Sequence, residues 1–367
     1  MDFQKRFDEE FEKYKKNLKK PNILIIGGTG VGKSTLINLV FGADIAKTGT
    51  GKPITQEIQM YESEDTSIVL YDTPGYEIGT EKEKHFSDNV VDFVLNQNEK
   101  LAEEQIHLVW YCIQASSHRI TDFDIKVIQK LNDNNVHLSV IFTKCDLVTS
   151  EELDKLKNYI ETKSNVFTFS ITNRKDIKPK YLELYPLVQW SVDSLPEILH
   201  EAFIKAQKVD LSLKKEQAKK IILQHTGVSF GVGFVPIPYA DAPILLLNQM
   251  EMTVRIFGVY DLQWLEAEIG TSIKSGIGML LSQGGKLFVA RLLKIIPFVG
   301  ALIGGTISAS IAASLTAAFG YAVSEVCYVV DKHILNNEID KVKAYVKDVD
   351  NVIMVLIKKY YKNEDNK

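Results

Sequence analysis

Through the first two hundred residues, short continuous apolar runs alternate with stretches of helical period. The runs are Ile23–Ile26, Ser67–Tyr71, His107–Ile113, His137–Phe142 and Val166–Phe169. Their length and unbroken apolarity suit strands buried on both faces, as in a mostly parallel sheet with helices on both sides. Gln56–Tyr61 alternates instead and predicts an edge strand. Lys33–Phe41, Asp122–Asn132 and Ser150–Lys163 carry a helical spacing, and Phe86–Leu95 predicts a helix within the polar stretch from Tyr76 to about Gln105. Ahead of the first strand, Phe3, Phe7, Phe11, Tyr14 and Leu18 fall three or four apart among Lys and Glu, which places them on one helical face. A leading helix packed on the body of the protein follows, with Lys13 to Lys20 on its solvated side.

After about residue 195 the strand rhythm stops. Leu195–Ile221 reads as helical, Pro236, Pro238 and Pro243 interrupt the next stretch, and two apolar helical segments follow at Ile244–Leu262 and Leu280–Val330. A charged helix from Asn336 to Tyr361 closes the pattern. The predicted organisation is an N-terminal amphipathic helix (1–20), an α/β domain (21–205) and an all-α domain (206–367) with a Gly/Ala-rich apolar hairpin near 280–330. There is no internal repeat and no low-complexity tract.

At 367 residues the chain has room for two domains. A net charge of −4 disfavours nucleic acid as the main partner. Cys112, Cys145 and Cys327 are scattered, with no CxxC pair, and predict reduced thiols in a cytosolic protein. The charged N-terminus lacks the apolar run of a secretory signal, so the expected location is the cytoplasm.

The most informative segment is Gly27-Gly28-Thr29-Gly30-Val31-Gly32-Lys33-Ser34, between the first strand and the helix running through Leu36 and Leu39. This is GxxxxGK[ST] in its strand–loop–helix setting. Glycines let the backbone wrap around phosphates, and successive N–H groups and the helix N-terminus face the anionic oxygens. Lys33 is placed to reach the β- and γ-phosphates and Ser34 to bind Mg²⁺, with Thr35 next in the same helical turn. Alone, this motif still permits ATP.

Three further elements follow, and within them Asp146 chooses the base. Asp72-Thr73-Pro74-Gly75 ends an apolar strand, where Asp72 can hold Mg²⁺ through water and the Gly75 N–H can meet the γ-phosphate. Thr143-Lys144-Cys145-Asp146 ends another strand. The Asp146 carboxylate can accept from guanine N1–H and N2–H₂, donors that adenine does not offer as a pair. The Lys144 stem can lie along the base. Ser170-Ile171 follows the last predicted strand.

With these motifs in order, residues 22 to about 205 resemble an Era-type GTPase domain of the translation-factor-related P-loop class. The resemblance implies GTP and GDP as ligands, a backbone N–H to guanine O6 from Ser170-Ile171, and Thr55 as the switch threonine that completes Mg²⁺ coordination, with Thr48 and Thr50 as rivals. It also implies catalytic parts for Lys33, Thr55 and Gly75. Thr143 stands where Asn is commoner, a variant shared with dynamin-like and immunity-related GTPases. Tyr76 stands where Ras-like proteins carry a water-orienting glutamine, so unaided hydrolysis is expected to be slow. Gly30 occupies the position of the Asn in potassium-activated relatives, so no potassium stimulation is expected.

Residues 228–265, with Pro236, Pro238 and a helix-capping Asp241, resemble the start of an uncharacterised helical domain on some bacterial Era-like GTPases. The likeness extends to about residue 330 and includes Ile296-Pro297-Phe298-Val299-Gly300. Residues 295–324 hold no charged side chain, longer than the ~20 residues a span requires. Pro297, Gly304, Gly305 and the small hydroxylated residues favour a packed helical hairpin, and entry into the inner face of a membrane is the alternative. The expected function is a GTP-hydrolysing switch coupled to a helical effector domain, with a GTPase-activating or self-association partner. The alternatives are a dynamin-like membrane-acting or self-assembling GTPase, and a ribosome- or RNA-associated assembly GTPase.

Overall fold

The computed structural model describes residues 3–42, 52–53, 58–62, 66–73, 81–117, 119–174, 183–232, 241–262 and 309–364. They divide into two units, Leu18–Asp210 and a second formed by Met1–Asn17 with Leu211–Lys367. The chain opens with α1 (Phe3–Asn17), which therefore clusters with the C-terminal helices and not with the sheet that follows it.

In the first unit, β1 (Asn22–Gly27), α2 (Lys33–Phe41), β2 (Lys52–Pro53), β3 (Gln59–Tyr61), β4 (Val69–Asp72) and α3 (Glu81–Asn98) come first. β5 (Leu108–Gln114), α4 (Asp122–Asp133), β6 (Leu138–Thr143), α5 (Ser150–Ser164) and β7 (Phe167–Ser170) follow, then α6 (Leu184–Ser194) and α7 (Glu197–Ala206). The seven strands form one sheet in the order β2-β3-β4-β1-β5-β6-β7. β4, β1, β5, β6 and β7 run parallel, while β3 lies antiparallel to β4 and β2 antiparallel to β3. This is the mostly parallel, doubly covered sheet that the apolar runs predict. Every residue of β1 is buried, as a central strand walled by helices on both faces requires.

Pairing register brings the strand ends that carry chemistry to one edge. Asp72 pairs with Ile25, Gly27 with Cys112, Thr143 with Gln114, and Ser170 with Phe142. Because β1 is flanked by β4 and β5, the chain departs in opposite directions on either side of it, and such a switch point opens a crevice at the carboxyl ends. Two capping boxes fix the helices behind it: Thr121 with Asp124 opens α4, and Thr149 with Glu152 opens α5.

Four elements differ from the sequence pattern. β2 is two residues long, too short to leave a periodic trace. α3 extends the expected Phe86–Leu95 helix by about a turn at each end. The stretch expected as one helix over Leu195–Ile221 is broken after Ala206, because the buried Gln207 side chain accepts from the Val209 and Asp210 N–H groups and donates to the Asp210 carbonyl. The charged C-terminal helix is two helices, since Asp348 starts a new one by accepting from Val352 N–H.

The second unit contains α1, α8 (Leu211–Val232), α9 (Asp241–Tyr260), α10 (Ala309–Leu335), α11 (Ile339–Lys347) and α12 (Val349–Glu364). α10 packs on α8, α9 and α12, and α1 packs on α9. Small residues permit this closeness: a Cβ at Gly320 would lie 2.7 Å from the Ile222 side chain. Among the described residues, Ser310–Leu335 is the one helix long and apolar enough to cross a membrane, and 67% of its most apolar stretch is buried within the protein. Residues 280–308, the first part of the expected hairpin, lie outside the described residues.

Lys214 on α8 and Asp331 on α10 form an ion pair at 2.9 Å, with side chains 0% and 3% exposed. Removing one partner of such a pair strands a charge in the interior and costs roughly 3–5 kcal/mol, whereas an apolar replacement of both is often neutral. Denaturant unfolding of Asp331→Ala should show a loss of that size, and the double variant Lys214→Met/Asp331→Leu should recover most of it.

Candidate nucleotide site

The loop after β1 turns sharply enough to need glycine. Gly30 and Gly32 hold φ of +71° and +112°, conformations that L side chains adopt only with strain. α2 then begins at Lys33, so the helix N-terminus and the loop amides converge on one spot, a natural place for an anion. The Lys33 ammonium is buried and donates to the carbonyls of Gly27 at 2.8 Å and Gly28 at 3.3 Å. Burial lowers its pKa, and the nearby Asp72 carboxylate partly opposes that shift. Ser34 and Thr35 are exposed on the first turn of α2.

Asp72 ends β4 beside the loop. Burial raises its pKa, while the Lys33 charge and the Thr73 N–H pull it back. Its buried Oδ1 has no hydrogen-bond partner among the described residues. A buried carboxylate oxygen left unsatisfied is costly, which suits an atom meant to face a hydrated cation. No cluster of three or more His, Cys, Asp or Glu occurs among the described residues. One carboxylate and one hydroxyl fit Mg²⁺, which keeps several waters and takes other ligands from substrate phosphates. Thr55, Thr48, Thr50, Gly75 and Tyr76 lie outside the described residues.

On the far side of the loop, Thr143 ends β6 and ties the two halves of the site together. Its hydroxyl donates to the Val31 carbonyl at 2.5 Å, across 112 residues of sequence. Lys144 sits in the left-handed region at φ +53°, and its ammonium donates to the Gly30 carbonyl and to Gln114 Oε1, each at 2.8 Å. The stem of Lys144 is thereby laid against the phosphate loop. Cys145 is buried, with its thiol pKa pushed up to about 12 by burial, and its Sγ donates to the Phe142 carbonyl. Burial pushes the Cys112 thiol up to about 12 as well, so neither is a nucleophile at neutral pH.

Asp146 points into a cavity of about 240 Å³ whose walls include Gly32, Thr35, Thr143, Thr172 and Asn173. Its Oδ1 accepts from the Thr172 hydroxyl at 2.7 Å. Thr172 is the residue that sequence reasoning missed, and its polar side chain at the second position beyond β7 is the signal that could have found it. Ser170 and Ile171 are placed differently from one another. Ile171 lines the cavity, yet its N–H donates to the Phe142 carbonyl at 2.7 Å. The Ser170 N–H donates to Glu183 Oε2 at 2.6 Å. Both amides are thus committed within the protein, and Thr172 and Asn173 are the next residues of the turn that face the cavity.

Parts of this chain match known proteins. Residues 22–144 match the protein family described as 50S ribosome-binding GTPase. Similar proteins include a septin of Candida albicans, CDC11, 30% identical over 200 residues covering 46% of this chain and 49% of that one. Septin-10 of Rattus norvegicus is 27% identical over 157 residues, covering 37% and 34%. The chain spans half or less of the length of these relatives. Similar solved structures are a probable GTP-binding protein, engB (TM-score 0.36, 18% identity, 47% of this chain and 97% of that one), and Toc33 from Arabidopsis thaliana (TM-score 0.35, 15%, 55% and 91%). The family match runs from β1 to the end of β6, which takes in the phosphate loop, Asp72, Thr143 and Lys144 and stops short of Asp146 and β7, and over these residues the chain carries a P-loop GTPase domain.

Proposed function

We propose that the protein is a cytoplasmic switch that binds and hydrolyses GTP and passes its nucleotide state to the helical unit. The carrying observation is that phosphate-loop residues Gly32 and Thr35 and base-selecting residues Thr143, Asp146 and Thr172 line one cavity. The loop amides, the α2 N-terminus and Lys33 bind the phosphates. Asp146 accepts from guanine N1–H and N2–H₂, held in its orientation by the Thr172 hydroxyl. Asn173, next in the turn, offers its N–H to guanine O6, a part that the resemblance implied for Ser170-Ile171. Thr143, by gripping Val31, keeps the two halves in step.

Ser34, and Asp72 through water, would hold Mg²⁺, which would supply neutralisation of the phosphate charge. Thr55 and Gly75 complete the set by resemblance. Tyr76 offers no amide to orient water, so turnover depends on a partner. The burial of α10 within its unit supports a packed helix over one that enters a bilayer. The acidic net charge sets the ribosome-associated reading behind the switch.

Amide hydrogen exchange of the full chain with GDP and with a non-hydrolysable GTP analogue tests the coupling. Protection in α8 and α10 should differ between the two states, and identical exchange there would sink the switch reading. A second reading, self-association, is favoured by the likeness to septins. Sedimentation of the same two samples decides it, since a monomer in both states removes that reading.

A further inference from the structure

We propose that Glu183 and Lys157 are positioning residues for base recognition, a clasp that holds the guanine-reading turn at the end of β7. The inference deepens the guanine assignment above and rests on it.

Glu183 stands immediately before α6, at the position where a side-chain oxygen ordinarily turns onto the first N–H groups of its own helix. It makes no such cap. Its carboxylate reaches back to β7, where Oε2 accepts the Ser170 N–H at 2.6 Å, and its own N–H donates to the Ser170 carbonyl at 2.9 Å. The same Oε2 accepts from Lys157 Nζ on α5 at 2.5 Å. One carboxylate thus joins α5, β7 and α6.

Among the described residues β7 is an outer strand, paired on one side only, with β6. An outer strand leaves backbone groups unpaired, and at Ser170 Glu183 stands in for the missing neighbour. The consequence runs down the chain. Ile171 donates its N–H to Phe142 and accepts the Cys145 N–H at 3.4 Å, which straps together the two turns that read the base. Thr172, one residue further, fixes Asp146 Oδ1. Glu183, at the head of α6, bonds back to Ser170 at the end of β7, so the clasp anchors the strand end from which Thr172 and Asn173 follow. The Lys157 side chain is 18% exposed and that of Glu183 30%, a setting in which the pair is shielded from full solvent screening.

A merely structural tie would weaken all ligands alike or only lower stability. A clasp that aims Thr172 acts on guanine and leaves phosphate binding untouched. Fluorescent GTP and ATP analogues titrated into the full-length wild type, Glu183→Ala, Glu183→Gln and Lys157→Met separate the two. Loss of a charge-assisted hydrogen bond predicts a rise of about tenfold in the GTP dissociation constant for Glu183→Ala, with ATP affinity unchanged. Glu183→Gln keeps an acceptor for the Ser170 N–H and should recover most of the loss. Lys157→Met should fall between them, and these two variants carry the test if Glu183→Ala does not fold. GTP and ATP weakening together, or GTP affinity unchanged in every variant, overturns the clasp. A wild type that binds ATP as tightly as GTP overturns the guanine assignment itself, and the clasp with it.

Discussion

Replacing Asp146 by Asn is expected to convert a guanine site into a xanthine site. The carboxylate offers two acceptors to the N1–H and N2–H₂ donors of guanine. An amide offers one acceptor and one donor, so one guanine N–H faces another N–H. Sites built on such hydrogen bonds reject the mismatched partner by large factors, up to about 10⁴–10⁵, and a fall of about 10²–10³ in GTP affinity is a conservative expectation. Xanthine carries an oxygen at position 2, which accepts from the new amide donor, so XTP should become the preferred nucleotide. The Thr172 hydroxyl, at 2.7 Å from Asp146 Oδ1, can donate to the amide oxygen or accept from the amide nitrogen, so the turn keeps its shape. Competition titrations with GTP, XTP and ATP on both proteins give the answer. A variant that still prefers GTP would place base selection elsewhere in the cavity.

The contrast between Asp146 and Thr172 shows what a one-dimensional pattern conveys. Asp146 is legible because its motif follows an apolar run that can only be a strand buried on both faces, and the structure places β6 there. Thr172 is not, because its part depends on where β7 stops. The apolar run ends at Phe169, but Ser170 is buried and still paired, and Ile171 still donates to Phe142. The turn therefore starts two residues later than hydrophobicity indicates. Backbone pairing with β6 sets that point, and pairing leaves no trace in composition.

Helix breaks were hidden for a related reason. Gln207 reads as an ordinary helix former, and only its three hydrogen bonds to the following backbone make it a stop. Similarly, the amphipathic spacing of α1 shows a buried face without showing what covers it. The contact partner is α9, more than two hundred residues away, where Gly258 leaves room for the Tyr14 ring. Long-range partners of this kind lie beyond any local window, whereas the phosphate loop is legible because strand, loop and helix are contiguous.

Lys33→Met should abolish nucleotide binding while leaving the fold in place. In the structure the Lys33 ammonium is held by two loop carbonyls and lies near Asp72, in surroundings dry enough to lower its pKa. Two charge-assisted bonds to phosphate oxygens contribute roughly 1.5–3 kcal/mol each, so their loss weakens GTP by about 10²–10⁴. Methionine keeps the length and apolar stem of the side chain and removes a desolvated charge, which offsets the compensation that Asp72 loses. The melting temperature without nucleotide should therefore stay close to wild type. With nucleotide the two proteins separate. Ligand at about a hundred times its dissociation constant stabilises a site by roughly 2.7 kcal/mol, on the order of 5–10 °C for a unit of this size. Wild type should show that rise with GTP and magnesium, and Lys33→Met should show none at the same concentration. Lys33→Arg should fail as well, because a planar fork does not fit between the Gly27 and Gly28 carbonyls as a compact ammonium does. If Lys33→Met kept the thermal rise, phosphate binding would rest on the loop amides and the α2 N-terminus alone, and Lys33 would lose its assigned part in the site.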